Sequence, residues 1–394
     1  MLASEATPFA KTGGLADVAG ALTKQLHATG HDVRLVMPLH AQVDRAAHGV
    51  APVAGFTDLS LEFGPHRFQW SLHSAPLPRS GARTWFIEIP ALFQRGTLYG
   101  DGPDEHLRFI AFTRAALELC QRWGWAPEVL HCNDWHTAFA PLLLKTAYAW
   151  DRLFAPVRTV MTIHNIGYQG VFGAAQASDL GIGAADLPRL HQDDLRAGKV
   201  NALKHGILYA DAITTVSPTY AQEIMTAQYG MGLEDVLRQR AAQVHGILNG
   251  VDYDDWDPRH DRWLPRHFDA GSLEVKATLK AELMQRLRAR IKVENPNDRE
   301  LAVKGITYTI EVGGEEFGRG ISGSSFTVPR LGEAEFDMNV TANMAGTLMR
   351  LAQRAKEAGR TPDSVDYRIV GKVSLATGML RSIPFEERGA FKLR

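Results

Sequence analysis

Lys11-Thr12-Gly13-Gly14-Leu15-Ala16-Asp17 joins a cation to a glycine pair and then to an amphipathic run. Gly13 and Gly14 permit backbone torsions closed to other residues and let a ligand come near the main chain. Val18, Leu22 and Leu26 recur every four residues, so a helix with one inward face is expected after the turn. A glycine turn leading into a helix N-terminus offers unpaired N–H groups and the positive dipole end to an anion. Lys11 adds a point charge. The stretch therefore reads as a phosphate or diphosphate cradle. The plainer alternative is a tight turn before a surface helix.

The remaining sequence narrows the class of protein. A chain of 394 residues suggests two or three domains, and 45% hydrophobic residues supply sizeable cores. Lys and Arg total 43 against 44 for Asp and Glu, which argues against a bulk nucleic-acid or anionic-membrane binder. Cys120 and Cys132 lie in apolar segments without metal-ligand spacing, so buried free thiols and a reducing, cytoplasmic compartment are expected. No apolar run reaches the ~18–20 residues of a membrane span, and no secretory apolar segment opens the chain.

Only Met1, Leu2 and Ala3 precede Ser4, so the strand expected before the glycine turn is read as truncated. Buried neighbours of a missing central strand lose hydrogen bonds worth about 1–3 kcal/mol each. Gly30 is expected to end the first helix, and a strand over Asp32–Met37 to stop at Pro38. Hairpin-like strands follow in 52–90. Pro103-Asp104-Glu105 predicts a long helix with proline at its first position and a stripe of Phe109, Phe112, Ala116, Leu119, Cys120 and Trp123. From 126 strands and helices alternate: strands at Val129–Cys132, Val157–Ile163, Ala212–Val216 and Val244–Leu248, helices at Ala138–Tyr148 and Ala202–Tyr209. Ser217 reads as an N-cap with Pro218 at the first helical position. The alternation predicts a parallel α/β sheet, whose ligands gather at the carboxyl ends of the strands.

Polar clusters fall at those ends. His131-Cys132-Asn133-Asp134-Trp135-His136 closes one strand, Thr162 to Gly170 another, and Asn249-Gly250-Val251-Asp252 a third. Together with the Lys11 turn they would make the floor of a cleft. His131 and His136 suggest a metal pair, but no carboxylate or cysteine completes a ligand set, so no metal site is expected.

The segments KTGGLAD, HCNDWH, TIHNIGYQGVF, NALKHGILYADAITTVSPTYAQEI and ILNGVDYDDWDP stand in one order over about residues 2–283. They resemble the amino-terminal domain of bacterial glycogen synthases and plant starch synthases. The resemblance implies the Rossmann-like amino-terminal half of a two-Rossmann-domain glycosyltransferase. It also implies retaining transfer of glucose from ADP-glucose to the non-reducing end of an α-1,4-glucan, with no cofactor. By motif, Lys11, Gly13 and Gly14 would meet the donor diphosphate, Asp17 the nucleoside and Asn249 the nucleotide cleft. His164 would contact the donor glucose and Asp134 would face the acceptor. The expected division is 1–260 for this domain, a linker over 261–286 and a further domain over 287–394.

Beyond 290 nothing resembles the second Rossmann domain, which would carry most of the nucleotide site and a catalytic glutamate. Instead, Leu287 to Val293, Ile306 to Val312, Ala334 to Val340 and Tyr367 to Leu375 alternate with period two. Gly313-Gly314 predicts a hairpin, and Met344, Leu348, Leu351 and Ala355 one helix. A small antiparallel β-sandwich follows from this pattern. Val293 to Asp298 and Leu380 to Phe385 resemble the water-stress and hypersensitive-response domain of LEA type 2 proteins, over about 285–394. Glu315, Glu316, Glu333 and Glu335 are expected on a solvated face. The period changes from helix to strand near 283–287, which marks the junction. Two functions stay open: a glucosyltransferase, impaired by the missing donor domain, and a non-catalytic chimera of a glucan-contacting half-domain with a stress-protein sandwich.

Overall fold

The computed structural model describes residues 1–261, 263–286, 289–294, 298–312, 315–322, 326–330, 333–338, 341–342, 364–375 and 382–392. They fall into two compact units, Met1–Trp256 and Asp257–Arg394.

In the first unit the strands are β1 (Leu35–Pro38), β2 (Ala51–Pro52), β3 (Leu59–Phe63), β4 (His66–Pro76), β5 (Arg83–Glu88) and β6 (Val129–Asn133). They continue as β7 (Arg158–Ile163), β8 (Val171–Gly173), β9 (Lys199–Asn201), β10 (Ala212–Thr215) and β11 (Val244–Gly246). One half of the main sheet runs β11-β10-β7-β6, all parallel. The other runs β1-β5-β4-β2, parallel at β1–β5 and antiparallel beyond. Leu2 bridges the halves, pairing in parallel with Cys132 on one side and Val36 on the other.

The three residues before Ser4 therefore hold the central place that the sequence pattern left in doubt. Leu2 N–H donates to the His131 carbonyl at 2.8 Å, Ala3 N–H to Val36 at 3.1 Å, and Val36 N–H to Met1 at 2.9 Å. Successive residues of a strand face opposite sides. Leu35, Met37 and Phe86 accordingly pack in one core with Phe9 and Leu39, while Val36 and Ile87 pack in the other with Phe109, Phe112 and Leu119.

The helix Gly14–Ala28 follows the glycine turn, but its inward face is not the expected one. Leu15, Ala16, Ala19, Gly20 and Thr23 are buried, whereas Val18, Leu22 and Leu26 are half-buried. Small residues win the core because a Cβ on Gly20 would stand 2.7 Å from the Thr7 carbonyl oxygen. The helix Glu105–Trp123 begins after Pro103, with Asp104 as N-cap, and is buried around most of its circumference. Buried Arg108 donates to the Leu92 and Leu98 carbonyls, and Arg114 to those of Leu180 and Gly181. These bonds anchor two loops to one helix. The helix expected over 138–148 shortens to Ala140–Leu144 after a 3₁₀ turn at Trp135–Thr137. The helix Ala202–Tyr209 and the Ser217 cap, whose side chain accepts from Tyr220 N–H, match expectation. Cys120 and Cys132 are buried free thiols.

The second unit opens with the helix Leu273–Arg286, followed by the strand β12 (Ala289–Glu294). The change of period between them lies where the pattern switched. β13 (Leu301–Val312), β14 (Glu315–Ser322), β15 (Phe326–Val328), β16 (Glu333–Met338), β17 (Thr341–Ala342), β18 (Ser364–Leu375) and β19 (Ser382–Lys392) complete it. The order is β17-β14-β13-β18-β19 with β15 beside β13, and β12 pairs with β16; every pairing is antiparallel. Ile306, Tyr308, Ile310 and Val312 are buried in alternation and pack with Val303, Val328 and Ile369. The Gly313-Gly314 turn, the helix expected over 344–355 and the side chains of Glu315, Glu316, Glu333 and Glu335 lie outside the described residues.

Candidate functional site

A cleft of about 850 Å³ lies at the carboxyl ends of the parallel strands in the first unit. Its floor is built from His131 and Asn133 of β6, Thr162 of β7 and His164 just after it, and Thr214 and Thr215 of β10. Val18, Leu22 and Gln25 of the first helix form one wall, and the loop Ile247 to Asp254 another. The half-buried stripe of that helix thus faces a cavity instead of the core. Three of the four polar clusters meet here, as strand-end chemistry demands.

His164 Nε2 stands 3.0 Å from Asn133 Oδ1, and the His164 N–H donates to Asp134 Oδ1 at 2.7 Å. Burial holds the His164 imidazole down to about 4, so it is neutral at pH 7. Asp134 is buried and carries φ 54° with ψ −177°, a backbone conformation that is essentially glycine's own. Burial, with a smaller contribution from the charge of Glu5, raises its carboxyl to about 7 against the N–H donors of His164 and Asn165. His131 Nε2 meets Thr162 Oγ1 at 2.6 Å, and Thr162 meets Thr214 Oγ1 at 2.6 Å. His136 packs instead among Tyr99, Phe109 and Trp135. The two histidines weighed as a metal pair thus have separate partners. Asn249 lines the cleft and is exposed.

The glycine turn is arranged differently. Thr12 N–H donates to Glu5 Oε2 at 2.6 Å, Thr12 Oγ1 to the same atom at 2.7 Å, and Gly13 N–H to Glu5 Oε1 at 3.2 Å. A carboxylate of the chain itself fills the anion cradle at this helix N-terminus. Burial raises the Glu5 carboxyl above its ordinary range, opposed by those same donors. Lys11 Nζ pairs with Asp17 at 2.7 Å. Lys11, Gly13 and Gly14 stand outside the lining of the large cleft. Asp17 lines a neighbouring cavity of about 140 Å³ with Lys24, Arg79 and Asp252. The turn is nonetheless coupled to the Asp134 loop, since the buried Tyr99 hydroxyl feels both Glu5 and Asp134 and bonds Ser4 Oγ at 2.7 Å.

Sequence reasoning missed several of these partners. Glu5 was legible only as a flank of the turn. Lys24 Nζ meets Asp252 Oδ2 at 2.5 Å, and Arg79 pairs with Asp252, Asp254 and Asp255. These ion pairs fix the wall loop of the cleft, and no local motif announces them.

Residues 1–239 match the starch synthase catalytic domain, and residues 290–389 match the late embryogenesis abundant protein domain. A glycogen synthase of Geotalea daltonii is 40% identical over 75% of this chain and 60% of its own. One of Koribacter versatilis is 41% identical over 79% of this chain and 64% of its own. The starch synthase IV catalytic domain of Arabidopsis thaliana, solved with ADP and acarbose, superposes with a TM-score of 0.63 at 35% identity. That match covers 73% of this chain and 58% of the plant one, so the chain spans about three-fifths of the relatives it matches. Together, the strand-end cleft, its motifs and these matches show that the chain belongs to the starch synthase catalytic domain family and carries a late embryogenesis abundant domain after it.

Proposed function

We propose that residues 1–256 form the part of a glucosyltransferase site that holds ADP-glucose and the end of an α-1,4-glucan. The observation that carries this reading is the cleft of about 850 Å³ floored by His164, Asn133 and the threonines of β7 and β10. The polar groups of its floor are hydroxyls, an amide and imidazoles, which suit a sugar, and Lys24, Arg79, Asp252 and Asp254 bring charge to its walls. His164 contacts the donor glucose, Asp134 orders the loop that faces the acceptor, and Asn249 borders the nucleotide. Asp17 lies on the nucleoside side.

Lys11, Gly13 and Gly14 serve the donor diphosphate. An incoming diphosphate meets a turn whose N–H groups already bind Glu5 and whose cation already binds Asp17. Binding therefore exchanges one anion for another. Held donors of this kind, aimed at charge that develops in the transition state, contribute about 2.7–4 kcal/mol each. The same occupancy favours a second reading, glucan binding without transfer.

Radiolabelled ADP-glucose with glycogen, alongside calorimetry of ADP-glucose and maltoheptaose, tests both readings. Label in glycogen that disappears in His164→Ala supports the transferase. Micromolar maltoheptaose binding with no label in glycogen supports the chimera. No binding of either ligand overturns both.

A further inference from the structure

We infer that Asn133 decides which nitrogen of His164 carries the proton, and so makes His164 a hydrogen-bond acceptor toward a ligand hydroxyl. Asn133 is the last residue of β6 and is 2% exposed. Its Nδ2 donates to the Leu2 carbonyl at 2.8 Å. That carbonyl belongs to the residue bridging the two halves of the sheet. Rotating the amide by half a turn would set Oδ1 against the Leu2 oxygen, two buried acceptors facing each other. The amide is therefore fixed, and Oδ1 faces His164 Nε2 at 3.0 Å.

An amide oxygen only accepts, so Nε2 holds the hydrogen. A neutral imidazole then keeps its lone pair on Nδ1, which takes no hydrogen bond from the described residues. His131 does not compete for Asn133, because its Nε2 is engaged by Thr162. The side chain thus presents an acceptor in the cleft it lines. An acceptor welcomes a sugar hydroxyl and repels a phosphate oxygen. In a cleft that takes a nucleoside diphosphate sugar, this tells the sugar end from the phosphate end. Asn133 is a positioning residue in this arrangement, acting through His164. The inference rests on the reading that His164 meets the donor sugar.

The test uses the full chain with ¹⁵N-labelled histidine. Long-range imidazole correlation spectra report the tautomer, and His164→Gln assigns the signal. The wild type is expected to show His164 protonated at Nε2. Asn133→Leu, which removes the acceptor oxygen, is expected to lose that tautomer. Circular dichroism checks that each variant folds. Should Asn133→Leu fail to fold, the wild-type spectrum still decides, and a proton on Nδ1 overturns the proposal. An unchanged tautomer in folded Asn133→Leu also overturns it. Calorimetry gives the second arm: removing the oriented acceptor is expected to weaken ADP-glucose about fivefold to tenfold and leave ADP unchanged. Equal losses for both ligands overturn the selective role. If neither ligand binds the wild type, the donor-site reading fails, and the tautomer spectrum still tests Asn133 independently.

Discussion

The two units treat polar residues in opposite ways. Among the described residues, every buried polar or charged side chain lies between Ser4 and Thr215, in the first unit. In the second, Arg368 bonds Glu311 and Glu386 along the surface of the antiparallel sheet, and the buried side chains are apolar. Burying a polar group costs free energy unless it is paired, so a fold does so where something else is gained. In the first unit some of these groups, Asn133, Thr162 and Thr215, line the cleft, and others, such as Arg108 and Arg114, anchor loops to the core. Among the described residues of the second unit, what is buried is a packed core.

Acid should separate the units most sharply. Burial holds His40, His164 and His205 down to about 4, and His131 to about 3. A histidine whose folded value lies below its unfolded one, near 6.5, stabilises fully above 6.5. That stability is lost as pH falls toward the folded value. Each such group loses about 2 kcal/mol between pH 7 and pH 5. Asp134 works in the other direction, because its folded value of about 7 exceeds the ordinary 3.8. Its contribution is complete below 3.8 and lost as pH rises through 7, so it offsets roughly one histidine at pH 5. Over these five groups the net expected loss is about 6 kcal/mol, and His136, held well below its ordinary range by burial, adds to it. Residues 268–394 contain no histidine, and Glu386, drawn down to about 2 by Arg368 and Arg388, remains ionised at pH 5. Thermal melts at pH 7 and pH 5 should show one transition falling steeply and another holding. A common shift of both transitions breaks the contrast.

Backbone geometry gives the next effect. Gly170 has a φ of 60°, and a Cβ there would stand 2.2 Å from the Trp135 ring. Gly198 has a φ of 76° with open space around it. Gly170→Ala combines torsional and steric penalties, about 2–4 kcal/mol, while Gly198→Ala incurs only the torsional part, about 1–2 kcal/mol. Urea unfolding of the pair measures the difference. Equal losses would mean that the Trp135 contact contributes nothing.

Asp134→Asn sharpens the link between burial and function. Asparagine has the shape of aspartate, so it meets the same backbone demand at this position, and it keeps an oxygen for the His164 N–H. It lacks the charge that burial penalises above pH 7. The variant should gain about 2–3 kcal/mol more at pH 8 than at pH 5. Loss of glucosyl transfer with that gain in stability identifies a site residue, since such trade-offs collect where function sets the side chain. Denaturant curves at both pH values and the transfer assay read the two effects.

Much of this was legible in the chain itself. Strands ending in polar clusters, the Ser217 cap and the period-two run of Ile306 to Val312 are local patterns, and local physics writes them. What stayed hidden depends on distant partners. The Val18, Leu22 and Leu26 stripe looked like core because periodicity cannot tell a core from a cleft wall. Its inward place went to Gly20 because the Thr7 carbonyl comes too close for a side chain. The Glu5 carboxylate in the anion cradle is seven residues from Thr12, and the Lys24–Asp252 pair spans 228 positions. Neither spacing has a motif.

The smallest effect belongs to the surface of the second unit. Arg368 meets Glu386 at 3.0 Å and Glu311 at 3.2 Å, and Arg388 meets Glu386 at 2.6 Å, all in contact with water. Solvent screens such pairs, and ordering long side chains opposes what attraction remains. Arg368→Ala should leave the melt of the second unit within experimental error. Lys24→Met is the matched test in the first unit, because Lys24 and Asp252 are only 17% and 16% exposed. It should lower stability by about 1 kcal/mol and loosen the loop that walls the cleft. If Arg368→Ala proves the more damaging, the second unit depends on its polar surface, and the contrast between the units fails at the weakest interactions on which it is drawn.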